Sequence, residues 1–372
     1  MSQMIDSTYK ILIELLRFAL GVEKCEAFHL SRPLSLEEWK KIYVEASRQS
    51  VLDVAFTAIR KLPKDELPPK PVLMRWAAHA EATADMNRHI NQKAARLTEI
   101  FSEAGRRTAV LKGAANARLY PDPLSRQCGD IDLWVEGGRM SVEALLLDLK
   151  LLPEPEESAS QHHIHLPKGE DGIVVEVHFK PASGNPFKSE ELQKFLNEEI
   201  VKSEFVPEGF YAPSVKFALV MQLSHLQQHF FSKGLGFRQY MDYFILLQRS
   251  SEQDREEAAA VMKSLYMGKA CGAVMWMLGV VFGLERRLML CPPSAWRGKR
   301  LLKLALKGGN FGKHELHRPM HRNVFVRWFR DRLRAIYWLP FDPVTVVFKE
   351  LRYWRLTLSL IPLRIKRRRI AL

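Results

Sequence analysis

Between Val110 and Val135 the chain reads VLKGAANARLYPDPLSRQCGDIDLWV, and no other stretch limits the fold as strongly. It runs as an apolar strand, a glycine turn, a short helix, a proline-broken loop and a second apolar strand carrying Asp130-Ile131-Asp132. Residues two apart in a strand point to one face, so Asp130 and Asp132 project together while Ile131, Leu133 and Val135 face a core. Adjacent carboxylates repel each other unless a cation lies between them, and hard oxygen ligands suit Mg²⁺ or Mn²⁺. A bare D-x-D is commonly a solvated acidic edge. Inside an apolar strand, downstream of a glycine turn and close to Arg126, this one reads as a metal site.

A third acid follows from the alternation Ile173-Val174-Val175-Glu176-Val177-His178-Phe179, which reads as a strand with Glu176 and His178 on one face. If this strand lies beside the Asp130 strand, Glu176 completes a triad. Three acids suit two divalent ions about 3.5–4 Å apart, the arrangement for in-line phosphoryl or nucleotidyl transfer.

These residues resemble the polymerase-β-like nucleotidyltransferase superfamily, whose signature is a strand, a glycine turn with its helix, and an acidic D-x-D or D-x-E strand. More closely, the chain resembles the bacterial family of uncharacterised nucleotidyltransferases. The residues that carry this resemblance are Leu111-Lys112-Gly113, Arg126, Gly129-Asp130-Ile131-Asp132 and Glu176-Val177-His178-Phe179, with Gly234 to Asp242 further on. It extends over roughly residues 35 to 340. The chain departs from the superfamily pattern at Ala114, where Gly or Ser is usual, and in its longer loop from Ala114 to Asp130.

The resemblance implies an α+β fold, a small mixed β-sheet nucleotidyltransferase core flanked by N-terminal and C-terminal helical regions. It also implies a metal-dependent transfer of NMP from an NTP such as ATP to an unidentified acceptor hydroxyl. Asp130, Asp132 and Glu176 would be the catalytic metal ligands for Mg²⁺ or Mn²⁺. Lys112, Gly113 and Arg126 would meet the nucleotide phosphates, and His178 and Arg238 the acceptor. The alternative is a non-catalytic protein that keeps this fold and holds RNA or an anionic membrane surface.

Four cysteines, Cys25, Cys128, Cys271 and Cys291, show no C-x-x-C pairing, which suits a reducing compartment and argues against a thiolate zinc site. The apolar run Ile11 to Leu20 is interrupted by Glu14 and Arg17 and does not read as a secretory signal. The longest apolar run, Ala270 to Leu284, has 15 residues and reads as a buried helix, since a membrane span needs about 20. The expected location is therefore cytoplasmic, or peripheral at the inner face of the membrane.

In chain order, residues 1–104 read as helical, with Ser35 and Glu38 forming a capping box and a long helix from Val72 to Ala104. Residues 105–212 hold the α/β core, including a hairpin from Gln161 to Phe179. His162, His163 and His165 on its first strand, with His178, offer zinc ligands, but packing or hydrogen bonding near a charged site is the preferred reading. Residues 213–317 turn helical again. His225 and His229 there have helical metal-pair spacing, but H-L-Q-Q-H lacks the glutamate of a zinc peptidase. Arg238 and Asp242 are spaced to pair on one helix.

Residues 318–372 form a basic amphipathic tail. From Phe311 onward the chain has 15 Lys and Arg against 4 Asp and Glu, so this end carries +11 of the net +14. Aromatics interleave with the arginines, and Leu351, Trp354, Leu358 and Ile361 recur at near-helical spacing. RNA, an anionic membrane surface and the protein's own helical domain all fit such a tail.

Overall fold

Apolar alternation in four short segments builds the sheet, and helical periodicity before and after it builds the rest. The structure is a computed structural model that describes residues 5–22, 29–30, 32–155, 160, 162–183, 185, 187–230, 234–310, 324–351 and 353–355. The chain opens with α1 (Ser7–Ala19), α2 (Leu36–Arg48), α3 (Leu52–Ile59) and the long α4 (Lys70–Glu103). Asp6 caps α1 by accepting from the Tyr9 amide, and Ser35 with Glu38 forms the expected capping box of α2. Helix α4 begins among prolines, where a missing amide proton costs nothing, and ends at Gly105, whose positive φ of 70° lets Arg106 N–H return to the Phe101 carbonyl.

The α/β part follows as β1 (Thr108–Val110), α5 (Ala114–Ala117), β2 (Ile131–Val135), α6 (Arg139–Asp148), β3 (His163–His165) and β4 (Val175–His178). The strands form one mixed sheet in the order β1-β2-β4-β3, in which only β2 and β4 pair in parallel. Then come α7 (Ser189–Ile200), a small ribbon of β5 (Glu204–Phe205) and β6 (Tyr211–Ala212), α8 (Val215–Phe230), α9 (Phe237–Arg249), α10 (Glu252–Ser264), α11 (Gly268–Phe282), α12 (Ala295–Gly308) and α13 (Val324–Trp338). The fold is thus α+β, a small mixed sheet flanked by helices on both sides of it in the sequence.

Two apolar cores share α4. Its C-terminal half, through Ile90, Ala94, Leu97 and Phe101, packs with α6 against the sheet face that carries Ile131, Leu133, Ile164, Val175 and Val177. Its N-terminal half places Val72 and Trp76 in a larger core, where α1 to α3 meet α8 to α12. The helices that precede the sheet and those that follow it are therefore packed together. Arg17 of α1 donates to the Val280 and Val281 carbonyls near the C-terminus of α11, at 2.6 and 2.9 Å, where a cation also complements the helix dipole. The Gln49 side chain donates to the Ala305 carbonyl and accepts from the Phe237 amide, binding α2 to α12 and α9.

The apolar segment from Ala270 to Leu284 is the buried α11, and among the described residues no helix is long and apolar enough to cross a membrane. The basic end divides. Trp338, Phe341 and Val346 are buried in the larger core, whereas Trp328, Phe329, Tyr337, Leu351, Tyr353 and Trp354 are exposed. Leu358, Ile361 and the run Arg364 to Arg369 lie outside the described residues.

Candidate active site

The pleat that sends Ile131, Leu133, Val175 and Val177 into the core sends Asp132, Glu176 and His178 to the opposite face. Parallel pairing sets Asp132 beside Glu176 and Trp134 beside His178. Antiparallel pairing sets His165 beside Glu176 and His163 beside His178. Two carboxylates and three imidazoles thus crowd one face of three adjacent strands. All but His165 line a cavity of about 710 Å³ whose far wall is α8, through Met221, Ser224, His225, Gln228 and His229.

Asp132 is almost wholly buried. Lys112 Nζ lies 2.5 Å from its Oδ2, and His178 Nε2 lies 3.1 Å from its Oδ1. Burial alone would raise this carboxyl's pKa, but the Lys112 charge and the His178 hydrogen bond overcome it and hold Asp132 below the usual carboxylate range. An ionised carboxylate only accepts, so His178 Nε2 carries a proton and donates. Burial pushes His178 down, yet its bonds to Asp132 and Glu176 leave it raised overall. Glu176 Oε2 is 3.5 Å from His178 Nε2, and despite burial this contact keeps its carboxyl lowered. His162 goes the other way: burial, then the neighbouring His178 and His163, depress it to about 4. Asp132, Glu176 and His178 each offer a ligand atom within 4.8 Å of the other two.

Asp130 is placed differently from the strand reading. The strand begins at Ile131, so Asp130 ends the preceding loop. It lines the same cavity, but it belongs to none of the close-set ligand groups among the described residues. Gly113 opens α5 with φ of 65° and ψ of −107°, a conformation that L side chains avoid, and a Cβ there would stand 3.4 Å from the Asp130 carbonyl oxygen. The glycine therefore lets the turn lie against the loop that delivers Asp130.

Arg126, expected at the phosphates, is buried, and its donors are engaged by other groups of the protein. Its Nε and Nη2 donate to the two oxygens of Asp242 at 3.0 and 2.6 Å, and Nη1 donates to the Gln127 carbonyl. Tyr120 also donates to Asp242, at 2.7 Å. Asp242 therefore pairs with Arg126, across 116 residues, and not with Arg238 four residues away. Arg238 Nη1 instead donates to the Gln127 carbonyl, and its Nε has no partner. Together with Arg126 it lines a small second cavity beside Lys112, Gly113, Asp130 and His225. Burial, then the Arg126 charge, lower the pKa of the Arg238 guanidinium.

The loop from Arg118 to Asp130 has little regular structure, and distant side chains bond to part of its buried backbone. Asn87 of α4 donates to the carbonyls of Leu124 and Arg126 and accepts from the Cys128 amide. Asn116 of α5 and Gln222 of α8 exchange two amide hydrogen bonds at 3.0 and 2.8 Å.

Sequence reasoning did not put His225 among the site residues. It is half-buried on α8 with Lys112, His229, Asp132 and His178 among its charged surroundings, and desolvation drives its pKa well down. The signal for it is the His225–His229 spacing, that of a helical metal pair.

A strand, glycine turn and acidic strand under a cavity walled by helices define a protein of the nucleotidyltransferase class. The model of the family of uncharacterised nucleotidyltransferases matches residues 35–283, most of the chain, and the chain belongs to that family. No curated protein and no solved structure matches it.

Proposed function

We propose that this chain is a metal-dependent nucleotidyltransferase that passes NMP from an NTP to an acceptor hydroxyl, with pyrophosphate leaving. The observation that carries the reading is Asp132 in register with Glu176, braced by Lys112 and His178 at the wall of a cavity large enough for a nucleotide. The donor set fits a hard divalent ion: Asp130, Asp132 and Glu176 supply carboxylate oxygens, and Lys112 offsets only one of their three negative charges. These three would hold Mg²⁺ or Mn²⁺. When bound, such an ion neutralises the triphosphate and lowers the pKa of the attacking hydroxyl.

The chain's own residues do the positioning. Lys112 and His178 fix the orientation of the Asp132 carboxylate, the role that outer partners of metal ligands play. Gly113 lets backbone come close to the phosphates without a side chain in the way. Arg238, with an unpartnered Nε and no carboxylate bonded to it, is the guanidinium suited to phosphate oxygens in place of Arg126. His178 orients Asp132 and does not itself need to touch the acceptor.

The test is mass spectrometry of small molecules, RNA and protein after incubating the enzyme and a cell extract with each NTP and Mg²⁺. The expected result is one acceptor that gains the mass of an NMP residue with wild-type enzyme and not with Asp132→Asn. No such adduct with any NTP, under Mg²⁺ or Mn²⁺, contradicts the proposal and favours a binding protein on the same fold.

A further inference from the structure

The β3–β4 hairpin holds more imidazole than nucleotidyl transfer calls for. His163 and His165 lie on one face of the edge strand β3, opposite His178 and Glu176. His163 Nδ1 is 3.5 Å from Glu176 Oε2, and His165 Nδ1 is 4.0 Å from Glu176 Oε1. The two imidazoles face each other, Nε2 to Nε2, at 3.1 Å. One ligand atom from each of the three residues lies within 4.8 Å of the other two. In a tetrahedral Zn²⁺ site with bonds of about 2.1 Å, ligand atoms stand roughly 3.4 Å apart, so small rotamer shifts would close this set on an ion.

Apolar packing does not account for the cluster. The apolar requirement of β3 is met by Ile164, fully buried on the other face. The facing nitrogens of His163 and His165 share at most one proton, in a single N–H···N bond, which an ion bound by both imidazoles would replace.

We propose that His163, His165 and Glu176 form a binding site for a borderline divalent transition-metal ion, with Zn²⁺ as the reference. Imidazole nitrogen selects such ions over Mg²⁺, which prefers oxygen. The site requires neither nucleotide nor acceptor, so its ion binding is measurable without the transfer reaction. Glu176 is common to this set and to the acids proposed for Mg²⁺. His165 sits on the exposed side of the strand, which leaves the ion open to ligand exchange.

The experiment uses the untagged full chain, stripped with a chelator and titrated with Co²⁺ in the presence of excess Mg²⁺ and no nucleotide. The expected result is one equivalent of Co²⁺, a visible absorption band of tetrahedral intensity, and displacement by Zn²⁺. His163→Gln and His165→Gln should each weaken Co²⁺ binding about tenfold or more, the scale seen on disturbing metal sites. His165 is half-exposed, so its variant keeps the fold. Asp132→Asn should bind Co²⁺ like the wild type even where it loses transfer, which separates this site from the reaction. No Co²⁺ bound under Mg²⁺, or wild-type Co²⁺ affinity in both histidine variants, overturns the proposal and leaves these imidazoles as hydrogen-bonded packing.

Discussion

A guanidinium and a carboxylate buried together each lose their hydration, and Arg126–Asp242 is tolerable because every polar edge of the pair is matched. Removing one partner strands the other, so Arg126→Ala or Asp242→Ala should cost about 3–5 kcal/mol in denaturant unfolding. A loss of transfer with unchanged stability would return Arg126 to the phosphates. The pair also sets an acid limit. Burial would raise the Asp242 carboxyl, but Arg126 holds it lowered. Its contribution is therefore complete above the unfolded value of about 3.9 and fades as pH falls through the lower folded value. The difference in Tm between wild type and Asp242→Asn should be large at neutral pH and shrink below about pH 4. Gly113→Ala should cost about 1–3 kcal/mol, the strain of a side chain at its positive φ. A variant as stable as wild type would mean the turn relaxes freely.

At the scale of elements, the sequence states faces well and partners poorly. The alternation Ile131, Leu133, Val135 and Val175, Val177 was legible because a period of two has only one way to put its apolar side inward. It puts Glu176 and His178 on one face, and the parallel pairing of β2 with β4 adds Asp132. The start of β2 was less legible: Asp130 and Asp132 look alike in a D-x-D, yet only Asp132 lies within the strand. The capping box of α2 and the long α4 were readable because their signals are local. The Asp242 partner was not, since Arg238 at helical spacing competes on paper with an Arg126 brought in by tertiary packing. The end of α13 makes a prediction of its own. Trp338 is buried against Phe341, with ring centroids 5.1 Å apart in edge geometry. Trp338→Ala should destabilise the protein by about 3–5 kcal/mol in thermal or denaturant unfolding. A neutral result would mean that this end is held by its other contacts.

Over the whole molecule, the acids stand where two bodies of packing meet. The sheet supplies Asp132 and Glu176, and α8 of the larger core supplies the opposite wall with His225 and His229. The Asn116–Gln222 pair fixes the glycine-turn module to that wall, and the Arg126–Asp242 pair fixes it to α9. Helices on both sides of the sheet in sequence share one core, which composition and periodicity do not reveal because they carry no long-range pairing. Truncation after Leu339 would remove Phe341 and Val346 from the core, and should therefore lower stability as well as any binding to anionic surfaces.

The central claim is that Asp132 and Glu176 act together on a nucleotide. The most direct measurement follows the α-phosphate label of an NTP onto acceptor, with Mg²⁺, for wild type, Asp132→Asn and Glu176→Gln, with folding of each checked by circular dichroism. The account predicts transfer by the wild type and a loss of about 10³-fold or more in kcat for each folded variant, in keeping with the removal of a group that stabilises transition-state charge. Transfer at wild-type rates by either folded variant would contradict it.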